Sequence, residues 1–436
     1  MAKLVSFDQA NSHAAAIDIG SREIFVSPDG IHVRSYATFT AGYRQCIEDL
    51  KSDHIERVCM EATGIYWIAL YQMLEEAGFE VCLVNPKEVK QVKGRKTDVA
   101  DACWIQKMFA AGLVRQSYIP KGKFKELRMM IREREDVIIM GSAYVNKMQK
   151  ALELMNIKLT EVLSQIHGAS GIRIIEAIIK GERDKEVLLS LCHQKITENK
   201  SEEVKQALEG NYNETWLFLL EQNLKLWKVH QVQLNIIDKK IEDILDTLNE
   251  NKPEIEAIHK AKPIRHHKPQ IEDLNQKLLN IYGVDTNCLP GVTNYSVLKL
   301  LGEVGADMSR FPTVKNFVSW CGLAPGHNQS GLRSHRSRMK NQSRAGQIFR
   351  EIAQSLITSK YIAIGSYMRR LRARKNSKVA IKAGARKIAA AFYNLLTNGS
   401  AYIEQGIEKY QEQIMLKEKK TLERLINKYN VKVLDY

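Results

Sequence analysis

At 436 residues, 44% of them hydrophobic, the chain has apolar material for two or three cores and is not compositionally disordered. Its formal net charge of +15 and pI of about 9.3 favour a polyanionic partner, nucleic acid being the commonest. No stretch approaches the roughly 20 apolar residues of a membrane span, and no cationic start leads into an apolar run as in a signal peptide, so a cytoplasmic chain without a membrane partner is expected.

In chain order, His13–Gly20 reads as a buried strand, followed by Glu23–Ser27, an Asp29-Gly30 hairpin turn and Ile31–Tyr36. A helix is predicted over 41–51, a strand over Arg57–Glu61, a helix from Tyr66 to Ala77, a strand over Glu80–Val84 and a helix from Asp98 to Ala111. A strand meander followed by alternating strands and helices predicts an α/β domain with a mixed sheet, residues 1–122. Heptad-like spacing over 123–165 and again over 214–249 predicts two long helices. They pair either as a coiled-coil arm (123–250) or within a plain helical bundle. Residues 251–273, with several prolines and the His266-His267 pair, read as a linker; without cysteine partners the two histidines give no metal site. A helical domain follows over 274–402. In it Leu289-Pro290-Gly291-Val292 resembles a helix–hairpin–helix turn, whose amides can face a DNA phosphate. Helices are predicted at Ser296–Gly302, Ala345–Thr358 and 377–397, and 403–436 is a charged helical tail. The seven cysteines form no CxxC pair, so reduced thiols are expected, with neither a zinc site nor a disulfide framework.

The chemistry-bearing residues are acids first. Asp98 and Asp101, three apart in the first turn of a helix, share a face and repel unless a cation lies between them. Mg²⁺ takes hard oxygen ligands of this kind. Asp18 lies inside the first apolar strand, where an unpaired carboxylate is costly, and Glu61 ends another strand. A carboxylate on a first strand, one on a later strand and two on a helix is the arrangement of a ribonuclease H-like (RuvC-like) fold, whose four acids hold Mg²⁺ for phosphodiester chemistry. Asp18-Ile19-Gly20-Ser21 also resembles the first phosphate loop of actin-like kinases, but the second phosphate loop and the adenosine loop of that fold are not found.

The positive charge is clustered. Arg333, Arg336, Arg338, Lys340, Arg344 and Arg350 occur without an intervening acid, and a basic helix is predicted over Arg369–Lys387, including Arg372, Arg374, Lys378, Lys382 and Arg386. These residues are the candidate nucleic-acid contacts. Ser330-Gly331 sits beside the first cluster. A serine there is a weak nucleophile that needs activation, and the arginines could stabilise a phosphorane.

Taken together, the motifs resemble the DEDD-type insertion-sequence transposases, the group that includes the Piv-type DNA invertases. The resemblance is carried by Ala16-Ile17-Asp18-Ile19-Gly20, Met60-Glu61-Ala62-Thr63-Gly64-Ile65-Tyr66-Trp67, Val84-Asn85-Pro86 and Lys96-Thr97-Asp98-Val99-Ala100-Asp101-Ala102. Further along it is carried by Leu289-Pro290-Gly291-Val292, Gly322-Leu323-Ala324-Pro325 and Ser330-Gly331. It implies a RuvC-like domain, a coiled-coil arm and a carboxy-terminal transposase domain. It also implies recombination guided by a structured bridge RNA that pairs with target and donor DNA. By position it makes Asp18, Glu61, Asp98 and Asp101 a metal-binding tetrad for Mg²⁺ and Ser330 the nucleophile. Where the family commonly has Ser-Gly-Gly-Lys, this chain has Ser330-Gly331-Leu332-Arg333, so Ser334 and Ser337 stand as alternatives to Ser330. Cutting two duplexes argues for a homo-oligomer, a dimer or tetramer. The rival readings are a metal-dependent nuclease or Holliday-junction resolvase that uses water, and a non-catalytic nucleic-acid-binding protein.

Overall fold

The computed structural model describes residues 10–62, 64–85, 97–114, 116–325, 328–330, 333–335, 343–399 and 407–429. It divides into two compact units, Met1–Ile119 and Pro120–Tyr436.

The first unit is built on a five-stranded mixed sheet. Its elements are β1 (Ala14–Ile19), β2 (Glu23–Ser27), β3 (Arg34–Ala37), α1 (Thr40–Ser52), β4 (Arg57–Glu61), α2 (Trp67–Glu76), β5 (Glu80–Val84) and α3 (Asp98–Ala110). The strand order is β3-β2-β1-β4-β5. β2 runs antiparallel to β1, and β4 runs parallel to it after the α1 crossover. That is the order and sense expected of a ribonuclease H-like sheet. β1 is central because both its faces are apolar. Ala15, Ile17 and Ile19 pack with Leu50, Leu70 and Leu74 under α1 and α2. Ala14 and Ala16 pack with Cys59, Cys82, Ile105 and Phe109 under α3. Side chains alternate along a strand, so the two layers read odd and even residues of the same six-residue run.

The expected Asp-Gly hairpin is a longer loop, and β3 starts at Arg34 rather than Ile31. The Ser27 hydroxyl accepts from the Gly30 amide and donates to the His32 carbonyl, while Asp29 accepts from the Ile31 and His32 amides. These side-chain bonds to the backbone replace ladder bonds over three residues.

Among the described residues the regular structure of the second unit is helical apart from one short hairpin. α4 (Lys123–Leu154) and α9 (Glu214–Asn249) lie side by side and run antiparallel, since Arg134 meets Asp238 while Tyr144 meets His230. The predicted helix to residue 165 stops at Leu154, because Asn156 takes a left-handed backbone (φ 58°). Four short helices fill the gap: α5 (Leu159–Val162), α6 (Ala169–Ile179), α7 (Lys185–Ser190) and α8 (Gln194–Ala207). They form a satellite core with the far ends of the long pair, through Met148, Leu152, Ile174, Ile178, Leu220 and Leu224.

The near ends of the long helices belong to a larger core. Leu127, Ile131, Ile241 and Leu245 pack with the helices α10 (Leu274–Tyr282), α11 (Asn294–Val304), α12 (Val314–Trp320), α13 (Arg344–Leu356), α14 (Ala363–Arg374) and α15 (Ser377–Asn398). Edge-on and stacked rings of Phe317, Trp320, Phe349 and Phe392 fill its centre. A last helix, α16 (Ile407–Tyr429), carries the charged tail.

Residues 251–273 form no helix or strand, yet they are pinned along their length. The Ile255 amide donates to Asn280, Lys262 Nζ to the Asn287 and Leu289 carbonyls, and the Gln270 amide to Asp238. The segment is a strap rather than a loose tether. The turn at Leu289–Val292 is packed into the core. Leu289 and Val292 are core residues, and Gly291 (φ 71°) is needed because a Cβ there would lie 2.8 Å from Leu356. No helix among the described residues is long and apolar enough to cross a membrane, and none of the seven cysteines is in a disulfide.

Candidate active site

The sheet brings together acids that are far apart in the chain. Asp18 continues the even-numbered series Ala14, Ala16 on the α3 side of β1. β1 and β4 pair in parallel with Ala16 opposite Cys59 and Ile17 opposite Met60, so Glu61 comes level with Asp18 on the neighbouring strand. Glu61 is only 7% exposed. α3 runs antiparallel to β1, anchored by Gln106 Nε2, which donates to the Ala14 carbonyl at 2.9 Å, and by Asn11 Nδ2, which donates to the Phe109 carbonyl at 2.7 Å. With its last turns over the start of β1, its first turn lies toward the strand's carboxyl end. There Thr97 caps the helix, its hydroxyl accepting from the Ala100 amide at 3.2 Å. Asp98 and Asp101 occupy that turn, in line with Ala102, Ile105 and Phe109 on the sheet-facing stripe.

The electrostatics agree with this placement. Burial, and then the charges of Glu61, Asp101 and Asp98, together push the Asp18 carboxyl up from 3.8 to about 6, against the Ile19 backbone hydrogen bond. The other three acids thus bear on Asp18 through their charge. Among the described residues no three acids, histidines or cysteines close into a chelating group as they stand. The donor set nevertheless fits Mg²⁺ in chemistry, being all hard carboxylate oxygen on one sheet edge and one helix turn.

Ser330 ends a short strand. The stretch read as a loop contains β6 (Asn328–Ser330) and β7 (Arg333–His335), antiparallel, with Ser330 opposite Arg333 and Ser334 opposite Gln329. Arg336, Ser337, Arg338 and Lys340 lie outside the described residues. Both stems of the segment are fixed. On one side the Leu323 amide donates to the Val318 carbonyl at 3.0 Å. On the other the Ser343 hydroxyl caps α13 by accepting from the Gly346 amide at 3.0 Å. The stems touch: a Cβ on Gly346 would stand 1.9 Å from the Cys321 carbonyl oxygen, so only glycine fits.

The basic run 369–387 is not one helix, as expected, but two. Asn376 adopts an extended backbone and caps α15, accepting from the Val379 amide at 2.9 Å, so the run breaks after Arg374. Arg372 and Arg374 end α14 and are exposed. Lys378, Lys382 and Arg386 recur every fourth residue on α15 and share a stripe. Lys382 and Arg386 line a cavity of about 410 Å³ with Leu323, Pro325 and Tyr367, at the foot of the Ser330 hairpin. Burial, then the charge of Arg350, pushes the Lys382 ammonium below its ordinary value.

Two family models match the chain. A DEDD transposase of the IS110 type matches residues 11–157, and the transposase IS116/IS110/IS902 family matches residues 287–368. The chain belongs to the DEDD insertion-sequence transposases. Among curated proteins none matches. Membership makes this transposase a DNA-processing enzyme with DNA as its substrate. The first match contains all four acids, and the second contains the Ser330 hairpin but stops short of the basic stripe on α15.

Sequence reading missed several residues that position these groups. Gln106 looks like an ordinary helix-surface amide, yet it is buried and ties α3 to β1. Arg128 and Arg132 clamp the end of α11, donating to the Gly302 and Glu303 carbonyls and to the Glu303 carboxylate. Only the Thr97 cap left a legible sign, a threonine directly before the first helical acid.

Proposed function

We propose that this transposase cuts and rejoins DNA through a covalent phosphoserine at Ser330, that Asp18, Glu61, Asp98 and Asp101 hold Mg²⁺, and that a structured bridge RNA selects target and donor DNA. The observation that carries the reading is the joint pressure of Glu61, Asp101 and Asp98 on Asp18, as expected of four carboxylates that share a cation. A bound Mg²⁺ would supply Lewis-acid polarisation of a phosphoryl oxygen.

In the cutting step the Ser330 Oγ attacks phosphorus and gives up its proton. A P–Oγ bond forms as the bond to one DNA oxygen breaks, and that oxygen leaves as a free hydroxyl. In the joining step a hydroxyl of a second strand attacks the phosphoserine, the P–Oγ bond breaks and the serine is regenerated. The phosphodiester's energy is conserved, so no nucleoside triphosphate is needed. Arg333, Arg336, Arg338 and Lys340 supply positive charge for the phosphorane. Arg372, Arg374, Lys378, Lys382 and Arg386 hold the nucleic-acid backbone.

Two duplexes must be cut, so the working form is an oligomer. The exposed Leu226, Val229, Val232 and Ile236 on α9 support assembly through the long helices.

The test is a denaturing gel for protein–DNA adducts formed with the element's end and its copurified RNA. The wild type should give a covalent adduct that Ser330→Ala abolishes and that Asp98→Asn suppresses. Undiminished strand transfer by Ser330→Ala would overturn the serine step. Random RNA fragments in place of one discrete transcript would overturn the guide.

A further inference from the structure

A second cavity, of about 570 Å³, lies in the second unit between α4, α9 and the strap, away from the Ser330 hairpin and from the basic stripe on α15. It falls within the size range of small-molecule and cofactor sites, about 300–1,000 Å³. Its long walls carry amides: Asn146 and Gln149 on α4, Gln231 and Asn235 on α9. Trp227 adds an indole. The strap contributes Arg265, His266, His267 and Lys268. Among the described residues Asp238 is the only acid in the lining, against Arg134, Arg265 and Lys268.

Several features show a site held open rather than a packing fault. Arg134 is only 2% exposed. Its Nε and Nη2 donate to Asp238 at 2.5 and 3.3 Å, and Nη2 also to the His267 carbonyl at 3.1 Å. Its guanidinium also lies over the Tyr295 ring, 4.9 Å from the centroid. His267 holds a left-handed backbone (φ 53°), a strain that a non-glycine residue keeps only where the surroundings enforce it. Gly141 lies in the wall of α4, where glycine is less favourable than alanine. A Cβ there would meet only His230, at an ordinary 3.8 Å. Packing therefore does not demand this glycine, and a larger side chain at 141 tests the cavity without a backbone clash.

The lining chemistry narrows the occupant. An apolar ligand would leave the wall amides unpaired. Burial and neighbouring positive charge push His167 and His267 below the ordinary histidine value, which keeps those imidazoles neutral and able both to donate and to accept. His266 Nδ1 already shares a hydrogen bond with Gln165 at 3.0 Å. An aromatic face, a set of amides and neutral imidazoles, and cations at the rim are what a single-stranded nucleotide meets: stacking for its base, partners for its base edge, charge for its phosphate.

We propose that this cavity receives one unpaired nucleotide of a bound nucleic-acid strand, its base against Trp227 and its phosphate toward Arg265 and Lys268. The inference rests on the chain's acting on nucleic acid and not on the serine or metal chemistry.

The test uses the full-length protein with a short single-stranded RNA and a DNA of the same sequence, each carrying thio-substituted bases for photo-crosslinking. Mapping should find a nucleotide attached to the Trp227 peptide or the 265–268 strap, and whichever strand gives the adduct identifies the source. Trp227→Leu and Gly141→Leu should each weaken binding about tenfold, with melting profiles that show both variants folded. If either variant fails to fold, the crosslink map of the wild type decides alone. Crosslinks confined to α15 and the hairpin, or unchanged affinity in the folded variants, would overturn the proposal while leaving the strand-exchange reading intact.

Discussion

Replacing Asp18 by asparagine should make the metal-free protein more stable while removing its activity. The Asp18 carboxyl is raised from 3.8 to about 6 by burial and by three neighbouring acids. Its proton is therefore held more tightly in the folded chain than in the unfolded one. Between those two values the native state binds more protons, so stability falls as pH rises through that window and stays lowered above it. A rise of that size corresponds to at most about 3 kcal/mol at neutral pH, and water at the half-buried carboxylate screens it to roughly 1–2 kcal/mol. Asparagine keeps an oxygen to accept from the Ile19 amide and carries no charge. In EDTA at pH 7.5 the first unit of Asp18→Asn should melt higher than wild type, by roughly 2–4 °C per kcal/mol recovered, and its melting point should no longer decline between pH 4 and 7. Added Mg²⁺ should raise the melting point of the wild type more than that of the variant, because the ion fills a charge deficit that asparagine has reduced. A variant that melts lower than wild type without metal, or one that responds equally to Mg²⁺, would refute the four-acid site.

The remaining expectations concern the second unit. Binding of single-stranded or duplex nucleic acid should fall steeply with salt, and Lys378→Ala or Arg386→Ala should each lower the slope of log affinity against log salt by about one; a slope that neither variant alters would remove α15 from the interface. Asp238→Ala strands Arg134, which is 2% exposed and bonded to Asp238 through two nitrogens. Leaving such a charge buried and unpaired costs about 3–5 kcal/mol, so chemical denaturation of this variant should show a midpoint far below wild type. The paired change Arg134→Met with Asp238→Leu should recover most of that loss.

The legible parts of this chain are those whose physics is local. β2, β4 and β5 begin and end where apolar alternation and flanking turns place them, and α9 matches its predicted span. The proposed tetrad also leaves signs in the sequence. Asp98 and Asp101 declare themselves by helical spacing, and a carboxylate within the apolar run Ala14–Ile19 has few reasons to be there. What the residues do not reveal on their own is contact between distant segments. Heptad spacing runs on to residue 165, but the helix ends where Asn156 turns left-handed, and α5–α8 are too short to be stable without the satellite core they help to build. The strap reads as a linker because its prolines and charges lack periodicity. Its order comes from partners such as Asn280 and Asp238, 25 and 32 residues away. The same holds for the serine. Ser330-Gly331 beside arginines is visible, yet two three-residue strands have no stability of their own. The frame of that hairpin is the close approach of Cys321 and Gly346, made where the end of α12 meets the start of α13. A loop of this kind can vary at its tip as long as its stems are packed into the core, so its geometry is encoded mainly in the residues that hold the stems together.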